Sequence, residues 1–219
     1  MEIARCEGIY LDSKQLLLLV ASQGMETIRV PFLNLQQEFS QKDICETLFV
    51  LCRDHIMEVS DRSQDMESVL KPEVSEMISV ILEAATELQI IPGDQLSCTV
   101  YCYIADRICC LEKVEREQDI LRMRIMDPEQ LLGLLEERGY LPEESGEKVD
   151  NTDNTDSRIL CDFRKYYRNG EAKDNSFSEM CCIEEAGEVC LVVSCEEKQE
   201  KIPYDKKRLL DFLTGGVAR

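Results

Sequence analysis

Twelve cysteines and a single histidine, His55, are the residues of this chain best suited to chemistry. Cys98 and Cys102 lie four apart in a run that reads as a strand, so a period of two puts both thiols on one face, and Cys109 can face them across the next strand. Three thiolates held together would suit a metal or a nucleophile. Zinc knuckles, however, wrap the ion with close Cys-x-x-Cys turns, and no such spacing occurs. The neighbouring pairs Cys109-Cys110 and Cys181-Cys182 point to opposite sheet faces, which fits small buried hydrophobes. A Cys-His nucleophile pair would have to use His55, yet His55 follows Arg53-Asp54 at the end of a helix, where an imidazole meets the negative end of the helix dipole. We therefore expect no catalytic residue, no metal ligand and no cofactor.

Other catalytic signatures are also missing. The chain has no Gly-x-Gly-x-x-Gly turn, no Walker loop, no Gly-x-Ser-x-Gly elbow, and no Trp to build a sugar platform between paired carboxylates. Charge narrows the partners. Forty-four acidic residues against 25 basic ones give a net charge of −19, which repels phosphate backbones and anionic headgroups. No nucleic acid and no membrane are expected as partners. A winged-helix reading of the segments 12–22 and 40–53 fails for the same reason, because the would-be recognition helix carries Asp43, Glu46 and Asp54 against Lys42 and Arg53. No basic, apolar and small-residue leader opens the chain, and the longest apolar run, Leu16 to Ala21, is far short of a membrane span. The expected location is the cytoplasm, with reduced thiols.

The elements that must position these residues follow from spacing. A strand over Ile3 to Tyr10 runs into a helix capped by Asp12 with Gln15, which ends near Ser22 before Gly24. Thr27 to Pro31 reads as extended. Ser40 and Asp43 open a second helix, with Ile44, Leu48, Leu51 and Cys52 as its buried face, and Ile56 to Ser60 is extended. Pro72 starts a third helix whose stripe runs through Val74, Met77, Ile78, Ile81, Leu82, Ala85 and Leu88, before Pro92-Gly93-Asp94 turns the chain. Leu96 to Ile104 and Arg107 to Val114 read as a hairpin around Ala105-Asp106, with Ile120 to Met126 as a further strand. Asp127, Pro128 and Gly139 then bound a helix.

Glu143 to Ser157 is acidic and polar, with Val149 its one apolar residue, and reads as a mobile linker between an N-terminal half, 1–142, and a C-terminal half, 158–219. Beyond it come strands at Arg158 to Tyr167, Phe177 to Glu185 and Glu188 to Cys195, turns at Asn169-Gly170 and Ala186-Gly187, and a helix from Tyr204 to Leu213. The endings repeat. Asp127 followed by Leu131, Leu132, Leu134 and Leu135 is matched by Asp205 followed by Leu209, Leu210, Phe212 and Leu213. The fold class is α+β, two quasi-equivalent β-then-α halves sharing a mixed, largely antiparallel sheet flanked by helices, with Leu132 and Leu210 expected to be buried alike.

This order resembles the EspG-type chaperones of type VII (ESX) secretion systems. The corresponding stretches are Leu16 to Ala21, Ile28 to Leu33, Asp43 to Cys52, Glu73 to Leu88, Leu96 to Met126 and Pro128 to Arg138, followed by a second half that repeats the strand-and-helix part. The resemblance implies one sheet made from both halves that shields an aggregation-prone segment of a helical, secreted protein partner. The residues supply a candidate contact. Met25, Ile28, Val30, Phe32 and Leu33 are more apolar than a short connection requires, and serve either a partner or the underside of the first helix. The alternative function is a small enzyme with an unrecognised thiol or carboxylate site.

Overall fold

The computed structural model describes residues 8–25, 27–33, 35, 39–60, 67–93, 95, 98–114, 119–142, 157–168, 177–195 and 198–214. Among them the elements run β1 (Ile9–Asp12), α1 (Ser13–Ser22), α2 (Gln41–Arg53), β2 (Met57–Ser60), β3 (Glu67–Leu70), α3 (Pro72–Glu83), β4 (Thr86–Pro92), β5 (Val100–Ile104), β6 (Ile108–Lys113) and β7 (Ile120–Met126). They continue as α4 (Pro128–Glu137), β8 (Arg158–Tyr167), β9 (Phe177–Glu185), β10 (Glu188–Cys195), β11 (Lys198–Pro203) and α5 (Lys206–Thr214). The class is α+β. One large sheet has the order β1-β7-β6-β5-β4-β8-β9-β10-β11, with β2 and β3 in a separate pair, and every pairing whose register is described is antiparallel. In that order β4 to β7 step one way and are followed by α4, while β8 to β11 step the other way and are followed by α5. The chain divides into two compact units, Met1–Glu83 with Cys109–Ile125, and Ala84–Ile108 with Met126–Arg219.

In the first unit the helix starts are built as their residues dictate. The Asp12 side chain accepts from the Gln15 backbone N–H at 2.7 Å, and Gln15 Oε1 accepts from the Asp12 N–H at 2.9 Å, so two orphan donors of the first turn are satisfied reciprocally. Ser40 and Asp43 repeat the device on α2. Lys14 and Ser40, both bonded to the Asp43 carboxylate, hold its pKa well below the ordinary value. Gly24 closes α1 at φ +81°, a left-handed backbone that a Cβ would strain. Leu16, Leu19 and Val20 of α1 and Val74, Met77, Ile78 and Ile81 of α3 are buried. Glu112 is buried too, but Arg124 Nε lies 2.6 Å from its carboxylate and offsets the desolvation.

The second unit centres on β4 and β8, which lie side by side from Thr86↔Tyr167 to Pro92↔Cys161. Gly93 follows β4 at a point of close approach. Its N–H donates to Leu160 O at 2.9 Å, and a Cβ there would fall 1.7 Å from Ile159 O, so only glycine fits. Glu87 is buried in β4 and is matched on several sides. Tyr101 donates to it, Arg168 Nε lies 3.4 Å away, and the Arg168 guanidinium sits 5.9 Å from the Tyr103 ring. Lys165 in β8 is only 2% exposed. Its Nζ donates to Phe212 O at 2.7 Å, in the last turn of α5, so a cation meets the negative end of that helix. Lys206 and Glu136 join α5 to α4 at 2.8 Å.

Several expectations are corrected by this arrangement. The stripe of α3 does not continue to Leu88, because the helix ends at Glu83 and Thr86–Pro92 is a strand in which Leu88 and Ile90 are buried. Spacings of three and four residues carried Ala85 and Leu88 onto the helical stripe, while β-branched Thr86, Ile90 and Ile91 favour the strand. On α2 only Leu51 of the four expected apolar residues is buried, Leu48 and Cys52 are half-buried, and Ile44 is exposed. Leu132 is buried but Leu210 is only half-buried, so Leu131 with Leu209 and Leu135 with Leu213 are the pairs buried alike. The last helix begins at Lys206, two residues after Tyr204, and the short β3 and the charged β11 are additional strands. Thr27 to Pro31 joins no strand. The expected linker, except for Ser157, and the Asn169-Gly170 turn lie outside the described residues, as does the start of the first strand before Gly8.

Candidate functional site

The thiols with the best spacing for chemistry are deep in the protein. Cys98, Cys102, Cys109 and Cys110 are all buried, and Cys98 falls before β5 instead of within it, its Sγ 3.0 Å from Val100 O. Burial, reinforced by Cys110, pushes the Cys109 thiol well above its ordinary value, which disfavours a free thiolate there. Among the described residues no three His, Cys, Asp or Glu side chains are grouped to hold a metal ion. His55 follows the C-cap Asp54 at φ +55°, and its N–H donates to Cys52 O at 3.1 Å. It is exposed and takes the left-handed position that commonly ends a helix.

The five residues read as a partner contact form no regular element. Val30 is buried, while Met25, Ile28, Phe32 and Leu33 are half-buried. Met25 N–H donates to Val20 O at 3.1 Å, fixing the exit from α1, and Leu33 N–H donates to Val30 O at 3.1 Å across the turn at Pro31-Phe32.

A second surface emerges from the register of the second unit. Strand pairing sets Ile183 of β9 beside Ile159 of β8 and Cys190 of β10, and Cys190 beside Pro203 of β11. The next row on the same face holds Asp162, Cys181, Val192 and Lys201, and the row after it Gln89, Arg164, Glu179, Ser194 and Gln199. Side-chain bonds confirm that these share a face. Arg164 reaches Asp162 at 2.9 Å and Glu179 at 3.1 Å, Lys201 pairs with Glu185, and Tyr166 donates to Gln89 Oε1 at 3.1 Å. Ile159 is 50% exposed. Ile183, Cys181, Cys190 and Val192 are half-buried. The opposite face carries buried Cys161, Phe163, Cys182 and Leu191, together with Lys165, which meets α5.

This face is therefore a partly exposed apolar band across β8, β9 and β10, roughly 10 Å between the outer strands, edged by ion pairs. Its chemistry is that of a contact surface. Cys181 Sγ lies 3.5 Å from Asp162 Oδ1, the nearest approach here to a thiol-carboxylate pair, but burial and that carboxylate push the thiol up to about 12. Burial also raises Asp162, with Arg164 opposing it. The sequence held a signal for this surface in β9 and β10, where apolar residues fall on both alternating faces instead of one.

Fold and surface together describe an α+β protein whose antiparallel sheet leaves one apolar face partly open. No protein-family model matches the chain, and no curated protein matches it. Among solved structures, the chain is similar to the type VII secretion system chaperone EspG5 of Mycobacterium tuberculosis, solved in complex with a PE25-PPE41 dimer. The alignment covers 93% of each chain at 11% identity, with a TM-score of 0.49. Among the described residues no helix is long and apolar enough to cross a membrane.

Proposed function

We propose that this chain is a protein-binding module of the cytoplasm, a type VII secretion-associated chaperone that shields an apolar segment of a small helical secreted protein. The observation that carries the reading is the half-exposed apolar band across β8, β9 and β10, with Ile159 at 50% exposure and ion pairs along its edges. Such a band offers area without depth, which suits a protein segment better than a small molecule. Met25, Ile28, Val30, Phe32 and Leu33 provide a second contact in the first unit, with Val30 as the buried anchor that holds its half-exposed neighbours in place.

Co-expression with small helical proteins encoded beside this chain tests the reading. The expected outcome is that one of them becomes soluble and co-purifies, and that Ile159→Asp or Phe32→Asp weakens the complex by at least about tenfold, the cost of placing a carboxylate in an apolar contact. If no neighbour is solubilised, and neither substitution alters any interaction, the chaperone reading fails and a thiol or carboxylate enzyme becomes the better account.

A further inference from the structure

Helix α2 presents its more apolar side outward. Ile44, Leu48 and Cys52 recur every four residues, and Cys45 and Phe49 repeat that spacing one position on, so the five share one side of the helix. The helix packs inward through Thr47 and Leu51, the only two of its residues that are buried. Phe49 is 68% exposed, Ile44 36%, and Cys45 is exposed as well, while Leu48 and Cys52 are half-buried between them and the packed side. A helix polar on the outside would be the default for a chain of net charge −19, so this stripe calls for an occupant.

Charge selects the occupant. Within α2 the bases Lys42 and Arg53 balance the acids Asp43 and Glu46, so the helix is locally neutral in an acidic protein and does not repel its own copy. Lys42, Glu46 and Arg53 follow one another along the edge of the stripe next to Phe49. When two helices meet antiparallel about a two-fold axis, each edge meets the same edge of the copy. With the axis near Phe49, Glu46 then faces Arg53 of the copy, twice, and Cys45 approaches Cys52 of the copy. A parallel pairing would instead set this charged edge against the opposite edge of the copy, which carries Ile44, Thr47 and Leu51, and would pair no charges. The present partners of these residues do not resist the exchange: Lys42 and Glu46 are 3.6 Å apart and well exposed, and Arg53 pairs with the neighbouring Asp54 at an exposed site.

We infer that α2 is a self-association surface, through which two copies of this chain pair by antiparallel, two-fold packing of Ile44, Cys45, Leu48, Phe49 and Cys52. One 13-residue helix from each copy buries less than the roughly 1,200 Å² of a stable interface, so the dimer forms and dissociates with concentration.

Sedimentation equilibrium of the purified chain alone, across a wide concentration range, tests this without reference to any chaperone partner. The average mass should rise toward that of a dimer as concentration increases. Phe49→Asp should abolish the rise, with an unchanged circular dichroism spectrum because Phe49 is already exposed. Glu46→Arg should weaken association at least about tenfold, and Glu46→Arg combined with Arg53→Glu should restore it. A short bismaleimide should yield a covalent dimer joined between Cys45 and Cys52. A chain that stays monomeric throughout overturns the proposal, as does a dimer untouched by Phe49→Asp or a charge exchange that fails to rescue. A chain that is monomeric alone but loses a helical partner on Phe49→Asp also overturns it, and assigns α2 to that partner.

Discussion

Burial has moved the titration of several single side chains, and these shifts set the alkaline behaviour of the protein. Desolvation lowers Lys165 from 10.5 to about 8 and raises the Cys181 and Cys182 thiols from 9.0 to about 12. For Lys165 the unfolded chain holds the extra proton between about 8 and 10.5, so its contribution to stability rises with pH across that window. For the thiols the folded chain keeps protons that the unfolded chain releases, so their stabilising contribution, complete below 9.0, is lost as pH climbs toward 12. The thiols outnumber the lysine, and net stability should fall above about pH 9, as urea midpoints at a series of pH values would show. In the same series Lys165→Met should lose the rising component, so that wild type gains on the variant by about 2 kcal/mol between neutral pH and pH 10. These shifts could not be read from the sequence. Neither the alternation of β8 nor its composition says that Lys165 lies under α5, since that depends on a contact 47 residues away.

Among elements, what is local was legible and what is tertiary was not. The three capping boxes, the left-handed Gly139 and the paired positive φ at Ala186 and Gly187 depend on residues within one turn, and all stand where their residue types place them. Strands β7 to β10 kept their expected bounds for a related reason, since turn residues mark their ends. By contrast β4 hid behind a helical spacing, β11 is an edge strand half of whose six residues are charged, and β3 is four residues long. The exposed stripe of α2 was illegible because periodicity identifies an apolar side but not what packs on it. The open band on β8 to β10 was missed because the face of each residue depends on a register that the bulge between Ile159 and Cys161 shifts. Two outcomes follow at this scale. Gly93→Ala should cost about 2–4 kcal/mol by forcing β4 away from β8, measurable by denaturant unfolding. Asp127→Ala, removing one cap from α4, should cost about 1 kcal/mol.

For the whole molecule, the repeated ending is a statement about stability. Leu131 with Leu209, and Leu135 with Leu213, are fully buried, so Leu131→Ala and Leu209→Ala should each cost about 2–5 kcal/mol, whereas Leu210→Ala at its half-buried position should cost less than either. Comparable losses from the first two, read from urea midpoints, would show that both closing helices carry similar weight. The pairing of β4 with β8 also sets a timetable for synthesis. When Pro92 leaves the ribosome, β4 can pair with β5 almost at once, but its other edge waits for Tyr167, about 75 residues later. At typical elongation rates that is roughly 4–15 s. Strand β1 waits longer still, because its partner β7 ends more than 100 residues downstream. A nascent chain of this protein therefore carries open, apolar strand edges for seconds, and slowing translation between residues 93 and 158 should raise its tendency to aggregate before it is complete.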